Sequence, residues 1–228
     1  MCFSANASFT AAALLIPGGA YCISLARRDA PQYLPFAVYP LVFGIQQFCE
    51  GLLWLSIVGE GGVNKGAAYS FLFFSHVFWL VWVPGSVWYL ESHAVKKRLW
   101  LLLVILGGIY GSAMYLPMLL HNSVQVLVVK NSIVYHPGNI FGAHIPGEVI
   151  NLIYALIILL PLLAQSDRMI RNFGILILIS LIFSRLVFNY AVTSVWCYFA
   201  AVLSLYIVGM LQSVCAGVVR MEDQNPSP

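Results

Sequence analysis

Apolar residues run along this chain in long blocks separated by short polar punctuation. Seven blocks reach the roughly 17 to 25 residues needed for a helix to cross a bilayer: 8–26, 33–58, 67–90, 99–120, 146–164, 172–192 and 195–217. Helices are predicted and not barrel strands, because membrane strands are only about 10 residues long and alternate strictly. The last two blocks are joined by a turn of only about four residues around Ala191 to Ser194, so these helices form an antiparallel hairpin. In the long connection 121–145, SVQVLVV and IVYH flank a polar KNS, the pattern of a short β-hairpin. The expected fold is all-α and polytopic, with seven transmembrane helices. Residues 1–217 form one membrane domain, and 218–228 a short polar tail.

Composition agrees with that pattern. The chain of 228 residues is 61% hydrophobic and 8% charged, against about a quarter charged in a soluble domain. Its mean hydropathy is +0.89, and a water-facing surface could not be clothed from it. The net charge of +3 is too small to suggest a nucleic-acid partner. The distribution of charge says more. Arg27, Arg28, Lys96, Lys97, Arg98, Arg168, Arg171 and Arg220 share one side of the alternating topology, and only Lys65 and Lys130 lie on the other. The positive-inside rule then orients the chain N-out and C-in, as a multi-pass protein of a plasma (inner) membrane with a cytoplasmic tail. Residues 1–8 carry no positive charge and Arg27-Arg28 follow the first block, so that block is expected to be a retained helix and not a cleaved signal.

Small residues four apart let helix backbones approach closely in lipid. Gly107 and Gly111, Gly108 and Ser112, and the stripe Cys197, Ala201 and Ser204 are predicted helix contact faces.

Ionisable groups at membrane depth are costly, so each is a functional-site candidate. Counted from the predicted outer ends, Glu50 lies roughly 12 Å deep, His76 roughly 13 Å and Arg185 roughly 10 Å at 1.5 Å per residue. Gln46 and Gln47 precede Glu50 by four and three residues and share its helix face. Arg185 and Asn189 are also four apart, and Glu148 and Asn151 sit at the start of the fifth span. Gln46, Gln47, Glu50, His76, Glu148, Asn151, Arg185 and Asn189 therefore make up the candidate ligand-binding set, in a pocket opening outward under the 121–145 loop. Arg185 is expected to neutralise Glu50 or Glu148. A purely structural ion pair is the competing reading.

His76, Glu50, His144 and Glu148 are candidate metal ligands. Two imidazoles and two carboxylates suit a divalent transition metal such as zinc or iron, although no His-Glu-x-x-His motif supports it. Glu50 is the candidate general base if the site is catalytic. Cys2 and Cys197 are expected near the outer surface, where a disulfide would require the first and last spans to be neighbours.

The segments MCFSANASF, FGIQQFCEG and SVWCYFAAVLS resemble an uncharacterised family of bacterial polytopic membrane proteins beginning Met-Cys-Phe-Ser-Ala. That resemblance implies a seven-span bacterial membrane protein and no particular chemistry. It draws attention to Cys2, Ser4, Gln47, Glu50, Trp196 and Cys197. Seven-span membrane-embedded zinc hydrolases are similar in span count, but their paired histidines on the last span are missing here. Three functions fit the residues: binding, sensing or transport of a small solute or ion; a metal-dependent hydrolase acting on a lipid or envelope substrate; or an assembly subunit whose polar groups pair internally.

Overall fold

The computed structural model describes residues 4–59, 62–136 and 146–224, and the side chains among these up to 217. The chain is mostly helical. Helix α1 (Ala5–Asp29) begins where the Ser4 hydroxyl accepts the Ala7 N–H, satisfying one of the unpaired donors of the first turn. After a 3-10 turn come α2 (Leu34–Ala37) and α3 (Tyr39–Val58). Helix α4 (Lys65–Phe73), capped by Asn64, runs through a π-helical turn (Phe74–Phe78) into α5 (Trp79–Leu90). Then follow α6 (Ala94–Leu120), strands β1 (Gln125–Val129) and β2 (Ser132–His136), and α7 (Gly147–Leu163). Helix α8 (Arg168–Val187) is capped by Asp167, whose carboxylate accepts the N–H groups of Met169 and Ile170. Helices α9 (Val192–Leu203) and α10 (Leu205–Gln224) complete the described fold.

Six stretches are long and apolar enough to cross a membrane: Ala5–Asp29, Pro31–Val58, Lys65–Leu90, Ala94–Leu120, Arg168–Val187 and Asn189–Gly217. The fifth predicted span is the 17-residue α7, about 25 Å long by helical rise and at the lower bound for crossing. Large apolar side chains point outward along these helices, among them Ile109, Leu120 and Leu186. That suits a lipid-facing surface, since a soluble protein rarely exposes so much apolar area.

Helix packing follows the small residues. A Cβ at Gly19 would stand 2.2 Å from the Leu41 backbone nitrogen, and one at Gly44 would stand 2.8 Å from Ile16, so α1 and α3 lie nearly backbone to backbone. The predicted Gly107/Gly111 face is real. These glycines meet the carbonyl oxygens of Leu80 and His76, at 2.1 and 2.3 Å from a built Cβ. Gly108 is only in ordinary contact, 3.6 Å from Val81. Cys197, Ala201 and Ser204 are all buried.

The hairpin forms as its pattern predicts. β1 and β2 pair antiparallel from Gln125↔His136 to Val129↔Ser132. Lys130 and Asn131 take φ of 47° and 58°, the left-handed pair that a two-residue turn of matching twist requires. Ile133 packs with Leu53, Trp54, Ala67 and Ala68, and Tyr135 stacks on Phe71. This apolar face seats the hairpin over α3, α4 and α9.

Several element boundaries differ from the sequence reading, three of them for reasons the structure shows. Helix α6 starts five residues before 99, because its basic first turn is anchored: Lys96 Nζ donates to the Ala164 carbonyl at 2.9 Å. Helix α8 stops at Val187 instead of 192, because Phe188 leaves helical geometry and Asn189–Ala191 form a 3-10 turn. The last span is divided at Ser204, whose hydroxyl donates to Ala201 O at 2.6 Å.

Candidate functional site

Helix α3 turns Gln46, Gln47 and Glu50 into the bundle interior, each with no exposed surface. One Glu50 oxygen accepts a 2.6 Å hydrogen bond from the Ser194 hydroxyl at the start of α9. Gln46 Oε1 accepts the Trp79 indole N–H at 2.7 Å. Glu50 Oε2, both amide atoms of Gln47, Gln46 Nε2 and Ser8 Oγ are buried without a hydrogen-bond partner among the described residues. Buried polar atoms left unpaired are costly and rare in folded proteins. The Gly51–Phe9 contact places Ser8 at the level of Glu50, so the orphaned groups share one layer of the bundle. No cation pairs with Glu50 among the described residues.

His76 lies in the π-helical turn, where one extra residue per turn shifts side chains out of helical register, a feature frequent at functional sites. Its Nδ1 is 2.8 Å from Ser75 Oγ, which donates to the Leu72 carbonyl at 3.2 Å. With that hydroxyl proton committed, the ring donates from Nδ1 and keeps Nε2 as an acceptor; the tautomer is assigned from this network. The Tyr154 hydroxyl of α7 donates to the Ser75 carbonyl and ties the turn to its neighbour.

Four of the candidate ligand residues meet in one pocket of about 370 Å³: His76, Glu148, Asn151 and Arg185. Spacing on α7 explains this, since Glu148, Asn151 and Tyr154 recur every three residues and share a helix face. Arg185 NH2 stands 3.4 Å from Glu148 Oε1, so the expected ion pair is with Glu148 and not with Glu50. Their side chains are 43% and 86% exposed. The early end of α8 puts Arg185 in its last turn, shallower than the predicted 10 Å. Glu50, Gln46 and Gln47 do not line this pocket, and the exposed Asn189 does not either. Cys197 stands between the two groups: it lines the pocket, while its thiol lies against Gln46 and near Glu50. The described hairpin contributes nothing to the lining.

Among the described residues, no three His, Cys, Asp or Glu side chains stand close enough to share a metal ion. His144, in the candidate metal set, lies outside the described residues, as does Cys2 of the expected disulfide. Cys197 is a free, buried thiol directed inward and not displayed at the outer surface.

Ser194, Trp196, Thr193 and Tyr154 complete these sites, although none was a candidate ligand from the sequence. The three-residue spacing on α7 could have revealed Tyr154. Another unforeseen polar centre lies at the opposite end of the bundle. Glu91 is 2% exposed and accepts the N–H groups of Ser92 and His93 at 3.1 and 3.0 Å and the Ser166 hydroxyl at 3.1 Å. Burial alone would raise its pKa, but these bonds and the Lys96 charge outweigh it and hold the carboxyl below its ordinary value.

A bundle of apolar helices, six of membrane-crossing length, with polar side chains gathered inside it and in one lateral pocket, is an integral membrane protein of the polytopic helical class. The chain belongs to the family of unknown function DUF6629, whose sequence pattern matches residues 1–221. No curated protein and no solved structure matches it.

Proposed function

We propose that the protein is a seven-span bacterial plasma-membrane protein, N-out and C-in, that binds a small solute or ion in an outward-facing pocket, for sensing or transport. Helix α7, fifth in chain order, completes the seven spans in this reading, and the eight-to-two division of Lys and Arg supports the orientation. The observation that carries the function is the convergence of His76, Asn151, Glu148 and Arg185 on one 370 Å³ cavity. That volume lies in the range of small-molecule sites, where a few polar groups in an apolar wall set specificity.

Arg185 supplies an anion contact through a fork of donors that Glu148 uses only at its edge. Asn151 supplies a donor and an acceptor, and His76 an acceptor at the deep end. The test is thermal unfolding of the purified protein with a panel of small phosphates, carboxylates and neutral solutes. An anionic ligand at 100 times its Kd should stabilise by about 2.7 kcal/mol, and Arg185→Gln should abolish most of that gain. If no solute shifts the wild type differently from Arg185→Gln, the binding reading fails.

A further inference from the structure

We infer that the ligand of this pocket is a single-chain anionic amphiphile that enters sideways from the bilayer, with its head at Arg185 and its chain leaving between α7 and α8. The inference rests on the binding reading above and names its ligand class. Leu152, Ile182 and Leu186 both line the pocket and lie on the outside of the bundle, 59%, 50% and 80% exposed. A side chain that is at once pocket wall and outer surface marks a slot. Ile182 and Leu186 are four apart on α8, so the slot runs along the helix axis. A helix of membrane-crossing length turns such a surface toward acyl chains.

Polarity is graded along the same axis. Arg185 in the last turn of α8 and Glu148 in the first turn of α7 meet at one end of these helices, the end that headgroups would cover if the helices cross a bilayer. His76 is deeper: Tyr154, six residues or about 9 Å along α7 from Glu148 at 1.5 Å per residue, reaches the carbonyl of the adjacent Ser75. Between them the wall is mainly apolar: Met114, Leu152, Ala155, Leu181, Ile182 and Leu186. A water-borne solute would leave that wall without a partner; an acyl chain fills it.

The donors call for a negative head. Arg185 is joined by Asn151, whose amide lies on the exposed face of α7, while the 8% exposed Trp196 contributes ring surface to the wall. The single lining carboxylate, Glu148, is 86% exposed. At 370 Å³ the cavity lies near the lower end of ligand-site volumes. It holds a phosphate or carboxylate head and the first part of a chain, and the slot takes the rest.

Native mass spectrometry of the full-length protein released from detergent micelles tests this. The probes are palmitoyl lysophosphatidate, the uncharged monopalmitoylglycerol, and chainless glycerol 3-phosphate. One saturable lysophosphatidate adduct is expected, binding at least about tenfold more tightly than either other probe, a difference of about 1.4 kcal/mol. Arg185→Gln should remove that preference and Arg185→Lys should keep most of it. Leu186→Trp changes a surface position and should narrow the slot, weakening lysophosphatidate several-fold. Glycerol 3-phosphate binding as tightly as lysophosphatidate, with the same Arg185 dependence, would overturn the amphiphile inference and leave the small-solute reading standing. Equal binding of the uncharged monoacylglycerol would overturn the anionic head. Binding of none of the three, alongside no solute effect in thermal unfolding, would overturn both.

Discussion

Glu50 is buried with one hydrogen bond, from Ser194, and a second oxygen that has no partner among the described residues. A hydrogen bond to a buried carboxyl that cannot be replaced by water is worth more than an exposed one. Ser194→Ala should therefore lower stability by about 1 to 3 kcal/mol. In a Glu50→Met background the same change should cost markedly less. Thermal or denaturant unfolding of the four variants gives the coupling energy; a value indistinguishable from zero would mean the two groups do not act together. Glu91 offers a pH test. Its folded pKa is depressed, so its contribution to stability is complete above the ordinary value of 4.5 and is lost as pH falls through the lowered one. Between pH 7 and about pH 3, Tm of the wild type should fall further than Tm of Glu91→Gln. Parallel loss in both proteins would contradict that role. Glu50 and His76 were legible in the sequence because charge inside an apolar block has few explanations. Glu91 was not, because an acid just past the end of a block looks like ordinary solvent-facing punctuation, and only the approach of Ser166 from 75 residues away buries it.

The helices show where local pattern is sufficient and where it is not. Block length and apolar content predicted the helical stretches, and β-branched runs around KNS predicted the hairpin, because both signals are local. The breaks at Phe188 and Ser204 were invisible, since neither residue interrupts hydropathy and each break depends on backbone geometry inside an apolar run. The break at Phe188 matters for the site, because it leaves Arg185 in the last turn of α8. The π-helical turn was equally hidden; it is held from α7 by Tyr154 and against α6 by the absence of a side chain at Gly111. The small-residue pairs can now be ranked. Gly111→Ala drives a Cβ to 2.3 Å from the His76 carbonyl oxygen, whereas Gly108→Ala places one 3.6 Å from Val81. Unfolding measurements should show Gly111→Ala destabilised by about 1 to 3 kcal/mol through overpacking and Gly108→Ala nearly neutral. Equal costs would mean that α6 does not depend on close approach at His76.

Seen as one bundle, the molecule keeps its two polar centres apart. The Glu50 layer is closed between α1, α3 and α9, while the His76–Arg185 pocket opens between α7 and α8. Equal computed depth suggested one shared site, but depth along a helix says nothing about which way a side chain faces. Only packing reveals that Cys197 stands between them. The most direct test of an outward-facing pocket is thiol accessibility at Asn151, a lining residue on the exposed face of α7. With the five native cysteines replaced by serine or alanine, Asn151→Cys in intact cells should react with a membrane-impermeant maleimide added outside, while Ser166→Cys should react only after the membrane is opened. Labelling of Ser166→Cys in intact cells, with Asn151→Cys reached only after opening, would contradict the account.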